Sequence, residues 1–360
     1  MTPIPFGNDP LKLHRYRAFW RRDSVSRPLV GFTFVGWFPL GEFAVARAWS
    51  ARPELTPDML DIGEVLDDHE RMVREGELIR DDLIRGASPM QVAVPFLPAM
   101  LGARLRILPE SVLGEELSLS WEDAMATRLE PASPWYRRYF ELADALVERA
   151  AGRFPVSHSA EIGPSDVHAA LRGHTRAIED LVDSPEQSRE LIEHAAGIFR
   201  ELTEALWRRV PLFHGGWFDA QYSLWAPEPI ARLQEDASAV YSPALYRRLV
   251  APADRLLAAH FPCAFMHLHS TSVFLLDAFL EIAELRCFEI NIDAAGPSAG
   301  AMIPFFRRVQ EAGRSLLVRG ALSPEELRLM LDSLDPRGLM LLVMVRDRRE
   351  AEELGRVAGV

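Results

Sequence analysis

Ala264-Phe265-Met266-His267, Cys287-Phe288-Glu289-Ile290-Asn291-Ile292, Ser315-Leu316-Leu317-Val318-Arg319 and Leu339-Met340-Leu341-Leu342-Val343-Met344-Val345 are four short apolar runs in the last third of the chain. Amphipathic helical stretches separate the later ones, over 298–311 and 324–334. The second stretch opens Ser323-Pro324-Glu325-Glu326, a capping serine with proline at the first helical position. Strands alternating with helices imply βαβ units and a parallel sheet. Strands this continuously apolar imply a sheet buried on both faces.

Working outward, Pro28–Phe34, Gln91–Phe96 and Phe154–Ser159 read as three earlier strands. A fourth lies at either Leu212–His214 or Ile230–Gln234. Eight strands in 360 residues predict an α/β chain folded as a (β/α)8 barrel, in one domain over 1–360. An open doubly wound sheet is disfavoured, since no Gly-x-Gly-x-x-Gly follows the first strand. The intervals 37–90 and 97–153 read as N-terminal helical insertions over the barrel mouth, with helices expected at Thr56–Leu66 and His69–Arg80.

Hydrophobic residues make up 48% of the chain and charged residues 26%, an ordinary globular composition. The formal net charge of −12 argues against nucleic acid as a partner. The one basic cluster, Arg15, Arg17, Arg21, Arg22 and Arg27, reads as a solvated helix face. Two cysteines, Cys263 and Cys287, make no disulfide framework. With no signal-peptide pattern and no apolar run of membrane-spanning length, a cytoplasmic protein without a membrane partner is expected.

His267 and His269 are the chemically informative pair. Residues i and i+2 of a strand share a face, so both imidazoles point the same way at a strand's C-terminal end, where barrels keep their chemistry. They are candidate metal ligands, for zinc or another divalent transition metal. Glu235, Asp236, Glu161, Asp293 and His214 are candidates for a third ligand; catalysis or substrate contact without metal, and structural hydrogen bonding within the mouth, are the alternatives. Glu235 and Asp236 are adjacent, so one enters the mouth while the other faces a helix. Either carboxylate, or Asp293, is a candidate acid or base. Asn291 shares a face with Asp293, and Arg319 is placed to meet an anionic substrate group. His158 reads as a satisfied mouth residue. Trp217, Tyr222 and Trp225 read as a lid against a ligand or as aromatic core.

Several stretches resemble one family. Glu161-Ile162-Gly163-Pro164-Ser165-Asp166 through Leu171-Arg172-Gly173 is similar to the Gly-Pro turn, helix and Leu-x-Gly segment of the uroporphyrinogen decarboxylase superfamily. Gln234-Glu235-Asp236 through Ser242-Pro243-Ala244-Leu245-Tyr246-Arg247 and Pro252 is similar to its acidic strand end and Ser-Pro-x-x-(Tyr/Phe)-Arg segment. His267-Leu268-His269 stands where the superfamily's methyltransferases have His-x-Cys, and Gly320-Ala321-Leu322-Ser323-Pro324 where the family has a Gly-Asn-x-Asp-Pro turn. Order and spacing agree over about 150–345.

The resemblance implies a (β/α)8 barrel and favours Ile230–Gln234 as the fourth strand, leaving Gly215–Trp225 as a hairpin or lid. Glu161, Gly163, Gln234, Trp217 and Asn291 are candidate substrate- or cofactor-binding residues. It implies one of two activities. One is zinc-dependent methyl transfer from a corrinoid, carried on a partner protein, to a thiol. The other is cofactor-free decarboxylation of a tetrapyrrole or other carboxylic acid; a non-catalytic tetrapyrrole or corrinoid binder is a third reading. The chain lacks the decarboxylase's Arg-Gln-Ala-Gly-Arg stretch and carries His269 in place of a thiolate ligand. A small-molecule substrate is expected in each enzymatic case.

Overall fold

The computed structural model describes residues 6, 8–34, 43–49, 51–90, 93–109, 111–159 and 161–360. In chain order its strands are β1 (Leu29–Phe34), β2 (Glu54–Leu55), β3 (Leu105–Ile107), β4 (Val112–Gly114), β5 (Trp217–Asp219), β6 (Leu224–Ala226), β7 (Arg232–Gln234), β8 (Phe265–His269), β9 (Cys287–Asn291), β10 (Ser315–Ala321) and β11 (Leu339–Val345). Six of them form one parallel sheet in the order β1-β11-β10-β9-β8-β7. Helices Ala251–His260, Ala299–Glu311, Pro324–Ser333 and Arg348–Ala358 follow or connect its strands. Ser323 and Glu326 form a reciprocal capping box at the start of Pro324–Ser333.

The sheet is buried on both faces, and its two faces differ. Val30, Phe32, Met266, Leu268, Phe288, Ile290, Val318, Leu341 and Val343 belong to one apolar cluster, which includes residues of the outer helices. On the other face Leu29, Phe265, Cys287, Leu317 and Met340 pack with the β5–β6 hairpin. The same face carries Arg232 and Gln234 of β7 and, farther along β8, β9 and β10, His267, His269, Glu289, Asn291 and Arg319. Side chains two apart share a face, so β8, β9 and β10 read apolar and then polar along one side.

Two further extended segments continue the arrangement. Ala87 bridges Val156 in parallel, with Ala87 N donating to Pro155 O at 3.0 Å and Ser157 N to Ala87 O at 2.9 Å. The first segment joins β1 through Asp82 N to Val30 O at 3.0 Å and through side chains. Asp82 accepts from Val30 N at 3.0 Å and Asp81 from Phe32 N at 2.9 Å. Carboxylates replace ladder carbonyls here, so the hydrogen-bonded sheet does not close into a barrel among the described residues. Arg15 and Arg27 of the basic cluster are drawn into this junction, pairing with Asp82 rather than facing water alone.

Three expectations need correction. Of the strand expected at Gln91–Phe96, Gln91 and Val92 lie outside the described residues, while Ala93–Pro95 turns into the helix Phe96–Met100. Pro95 and Pro98 cannot donate to a ladder, and the neighbouring extended segment lies earlier, through Ala87. The two helices expected over 56–80 are one, Ile62–Glu77, whose N-cap Asp61 accepts from Glu64 N; Pro57–Met59 is a single 3-10 turn. Leu212–His214 is not a sheet strand, and Arg232–Gln234 takes the fourth place.

The inserted segments build a small antiparallel sheet, β2-β3-β4. They share one apolar cluster with helices Pro134–Ala150, Pro164–Arg172 and Pro185–Trp207. Gly163 caps Pro164–Arg172 where that helix meets β7. A Cβ there would lie 1.6 Å from Gln234 O, a backbone overlap that no side-chain rotation relieves. Gly163→Ala is therefore expected to destabilise the protein by roughly 2–3 kcal/mol, read as a lowered urea midpoint with unchanged slope. A midpoint equal to wild type would show that this contact does not constrain the fold.

Candidate functional site

Parallel pairing in register sets the site. β8 and β9 align His267 with Glu289 and His269 with Asn291, and β10 aligns Arg319 with Asn291. β7 brings Gln234 beside His267. Aligned residues of neighbouring strands point to one side, so these groups meet at the C-terminal end of the sheet's inner face. All of them but Glu289 line a cavity of about 220 Å³, covered by Val94, Pro95, Pro98 and Val112 from the inserted segments.

Each histidine is held by a carboxylate at Nδ1. His267 Nδ1 meets the Glu289 carboxylate and, at 2.9 Å, the Tyr222 hydroxyl. Glu289 is fully buried. His269 Nδ1 lies 2.8 Å from Asp293 Oδ1. Asp293 is itself fixed, accepting from Ser270 N and Ser270 Oγ at 2.8 Å and from Asn291 Nδ2 at 2.9 Å. A carboxylate at Nδ1 draws the imidazole proton there and leaves a lone pair on Nε2. The two Nε2 atoms face each other at 3.4 Å. Asp236 Oδ1 stands 4.0 Å from His269 Nε2, and one ligand atom from each of Asp236, His267 and His269 lies within 4.8 Å of the others. Gln234 Nε2 donates to Asp236 Oδ2 at 3.0 Å.

The site's electrostatics separate its carboxyls. The hydrogen bond to Asp293 raises the pKa of His269 above the usual imidazole value, against burial and with help from Asp236. Burial pushes Asp293 up, but hydrogen bonds from His269 and Ser270 outweigh it and hold the carboxyl far below the usual range. Burial raises Glu161 to about 8, with the Arg232 charge and the Leu97 N–H pulling the other way. Burial also raises Glu235 well above its usual value, aided by Asp254 and Asp166.

The residues expected at the site divide accordingly. Asp236, His267, His269, Glu161, Gln234, Asn291 and Arg319 line the cavity. Asp293 stands behind His269, and its depressed pKa does not suit a proton donor at neutral pH. Glu235 is turned away from the cavity, accepting from Ser165 N at 2.8 Å at a helix start. Gly163 serves the close approach of helix and strand. His214 sits in an exposed turn, and His158 is buried with Nδ1 on Ser159 O.

Of the two readings of the aromatic segment, lid or core, the structure shows core packing. Trp225 is fully buried, with Nε1 on Phe213 O, and Trp217 is only partly buried against the same cluster. The β5–β6 hairpin packs on the apolar part of the inner face through Phe218, Leu224, Trp225 and Ala226. Only Gln221 and Tyr222 of its turn reach the cavity.

Sequence reasoning missed Glu289 and Arg232. Both carried a signal: each is the charged residue of a short apolar strand, two positions from a residue that faces inward. Cys263 and Cys287 are buried and do not line the cavity.

No family model matches the chain, and no curated protein matches it. Among solved structures, a methyltransferase from Methanosarcina mazei superposes with a TM-score of 0.62 at 12% identity, covering 96% of this chain and 97% of that one. A mannanase from Bacillus subtilis aligns with a TM-score of 0.40 at 9% identity, over 99% of this chain and 93% of that one. Among the described residues no helix is long and apolar enough to cross a membrane. The chain thus shares the overall fold of the Methanosarcina methyltransferase, a mixed α/β architecture on a parallel sheet.

Proposed function

We propose that the protein is a metal-dependent methyltransferase of the uroporphyrinogen decarboxylase-like kind, a one-domain (β/α)8 barrel. It moves a methyl group from a corrinoid, presented by a partner protein, to a thiol or similar small acceptor. The fold shared with the Methanosarcina methyltransferase supports the class of activity.

One observation carries the reading. In the tautomer that the two carboxylates favour, the Nε2 atoms face each other at 3.4 Å, and an electrophile between them, a proton or a metal ion, would satisfy both. A tetrahedral metal with nitrogens at ~2.0–2.1 Å holds its two imidazoles about 3.3–3.4 Å apart, the same span. A hydrogen bond across that gap would be long, beyond the roughly 2.7–3.2 Å of good N–H donors. Asp236 offers an oxygen within 4.8 Å of both nitrogens and would have to swing closer to complete a nitrogen and oxygen set, which would suit zinc and also iron, cobalt or manganese. When bound, the metal supplies Lewis acidity that lowers the pKa of a ligated acceptor.

The chain's own residues do the rest. Glu289 and Asp293 fix the tautomer and aim of the two imidazoles, and the proline-bearing cover over the cavity limits water. The cavity favours methyl transfer over tetrapyrrole decarboxylation. At about 220 Å³ it is smaller than the roughly 300 Å³ at which pockets for drug-sized ligands begin. A corrinoid therefore meets the acceptor at the mouth rather than inside.

Elemental analysis of wild type beside His267→Ala/His269→Ala tests the metal. About one equivalent of zinc or another transition metal in wild type, lost in the double variant, is expected. No metal in either after reconstitution overturns the mechanism. Glu289→Gln removes the charge behind His267 and is expected to weaken metal binding about 10–100-fold in chelator competition. Unchanged affinity would mean that Glu289 does not act through His267.

A further inference from the structure

A second cavity, of about 410 Å³, lies at the β1 edge of the sheet, at the C-terminal end of that strand. It sits at the seam where the hydrogen-bonded sheet stays open, between β1, the segment through Arg85 and Gly86, and the helix Ile62–Glu77. Among the described residues it shares no lining residue with the cavity of the two histidines. The turn of the β5–β6 hairpin touches both: Gln221 and Tyr222 line the smaller cavity, and Ser223 lines this one. That turn is fixed from behind, where the Tyr16 hydroxyl donates to Ser223 O at 2.6 Å and accepts from Ile84 N at 3.1 Å. The larger cavity falls in the roughly 300–1,000 Å³ range of small-molecule sites, which the smaller one does not reach.

Its wall is mainly apolar, with Phe32, Phe34, Phe43, Met72, Val73 and Ile79. Among the described residues the one buried charge in that wall is Arg85, and it is already paired, with hydrogen bonds of 3.0 and 2.8 Å to the two oxygens of Asp81. Glu75, Arg346, Asp347 and Arg348 are exposed to water. No buried charge therefore asks for an ion. Two neutral polar side chains do ask for a partner. Thr33 is 3% exposed and His69 2%, and neither Thr33 Oγ1 nor His69 Nε2 has a hydrogen-bond partner. Burial lowers the pKa of His69 to about 3, with help from the Arg71 charge, so its ring is neutral. A buried polar atom left unpaired is costly, and two of them in the wall of a ligand-sized cavity call for a polar atom from outside.

We propose that this cavity is a second binding site, for a neutral, mainly apolar molecule that carries one hydroxyl, a phenol in its simplest form. A hydroxyl both donates and accepts, so it suits Thr33 Oγ1, and it suits His69 Nε2 whichever tautomer the ring holds. A ring packs on Phe32, Phe34, Phe43 and the Met72 thioether. An ion would lose its water and find no free counter-charge. The site stands on its own side chains and not on the metal reading above.

Calorimetry with 4-methylphenol and toluene at pH 7 tests this; both probes are neutral there, since a phenol ionises near pH ~10. Saturable binding of both is expected, with 4-methylphenol about fivefold to tenfold tighter, the worth of one neutral hydrogen bond. Thr33→Val removes a hydroxyl that has no partner in the protein, so its thermal midpoint should equal or exceed that of wild type. Of Thr33→Val and His69→Phe, at least one should erase the preference for the phenol. Met72→Trp fills the cavity from a half-buried position and should abolish binding of both probes; Met72→Phe should weaken it and serves if the tryptophan variant does not fold. No saturable binding of either probe, undiminished binding in the Met72 variants, or a preference indifferent to both polar variants overturns the proposal. His267→Ala/His269→Ala should bind both probes as wild type does. Lost binding there places the probes in the smaller cavity and also overturns it, whereas a failure of the metal analysis leaves this site standing.

Discussion

The site depends on the pairing of His267 with Glu289. A carboxylate with no exposed surface has no water to solvate it, and the imidazole Nδ1, itself 2.9 Å from the Tyr222 hydroxyl, takes water's place. That pairing exists because β8 and β9 run parallel with these two residues in register. A slip of one residue would turn Glu289 to the opposite face, among Met266, Leu268, Phe288 and Ile290, where nothing could pair with it. Chemistry and fold are therefore specified by the same register: the cost of misplacing the carboxylate holds the strands in the alignment that aims His267 Nε2 into the cavity.

The same economy explains the division of the inner face. Its first half is closed by apolar side chains and plugged by the β5–β6 hairpin, with Trp225, Tyr222 and Phe218 buried against Leu29, Phe265 and Leu317. The polar half thus has only one direction in which to open, toward the segments inserted after the first strands. Those segments bring their own apolar cluster, anchored on Phe96, Tyr139 and Leu142, so they are packed rather than loosely draped. The result is a small, covered, polar space over a dry floor. In such a space charged groups interact more strongly than in water, and each must be paired, neutral or awaiting a ligand.

Much of this was legible in the sequence where the local signal was strong. β8 to β11 are continuous apolar runs between capped amphipathic helices, and the structure places strands there with bounds close to those expected. The shared face of His267 and His269 follows from strand periodicity alone. The second strand was misplaced because Gln91–Phe96 is as apolar as a strand, and only Pro95 and Pro98 spoke against it. The segment through Ala87 is short and polar at its start, and it joins β1 partly through the side chains of Asp81 and Asp82, which no hydropathy pattern reveals. Trp217 and Trp225 were ambiguous because an aromatic hairpin reads alike whether it covers a mouth or fills a floor. Glu289 and Arg232 were passed over because charge inside an apolar strand is usually assigned to an edge, although their spacing from inward-facing neighbours placed them on the working face.

What distinguishes the two ends of the cavity is the fate of their carboxyls. Asp293 is crowded with donors, the Ser270 N–H and hydroxyl, the Asn291 amide and the His269 ring, and these outweigh its burial. Glu161 is equally a carboxyl near a base, yet only a cation at a distance and one backbone N–H oppose its burial, and it becomes a weak acid. Identical chemistry is thus sorted by the number of donors each strand end supplies. One end keeps its negative charge to orient imidazoles for an electrophile; the other gives up its negative charge and leaves Arg232 uncompensated.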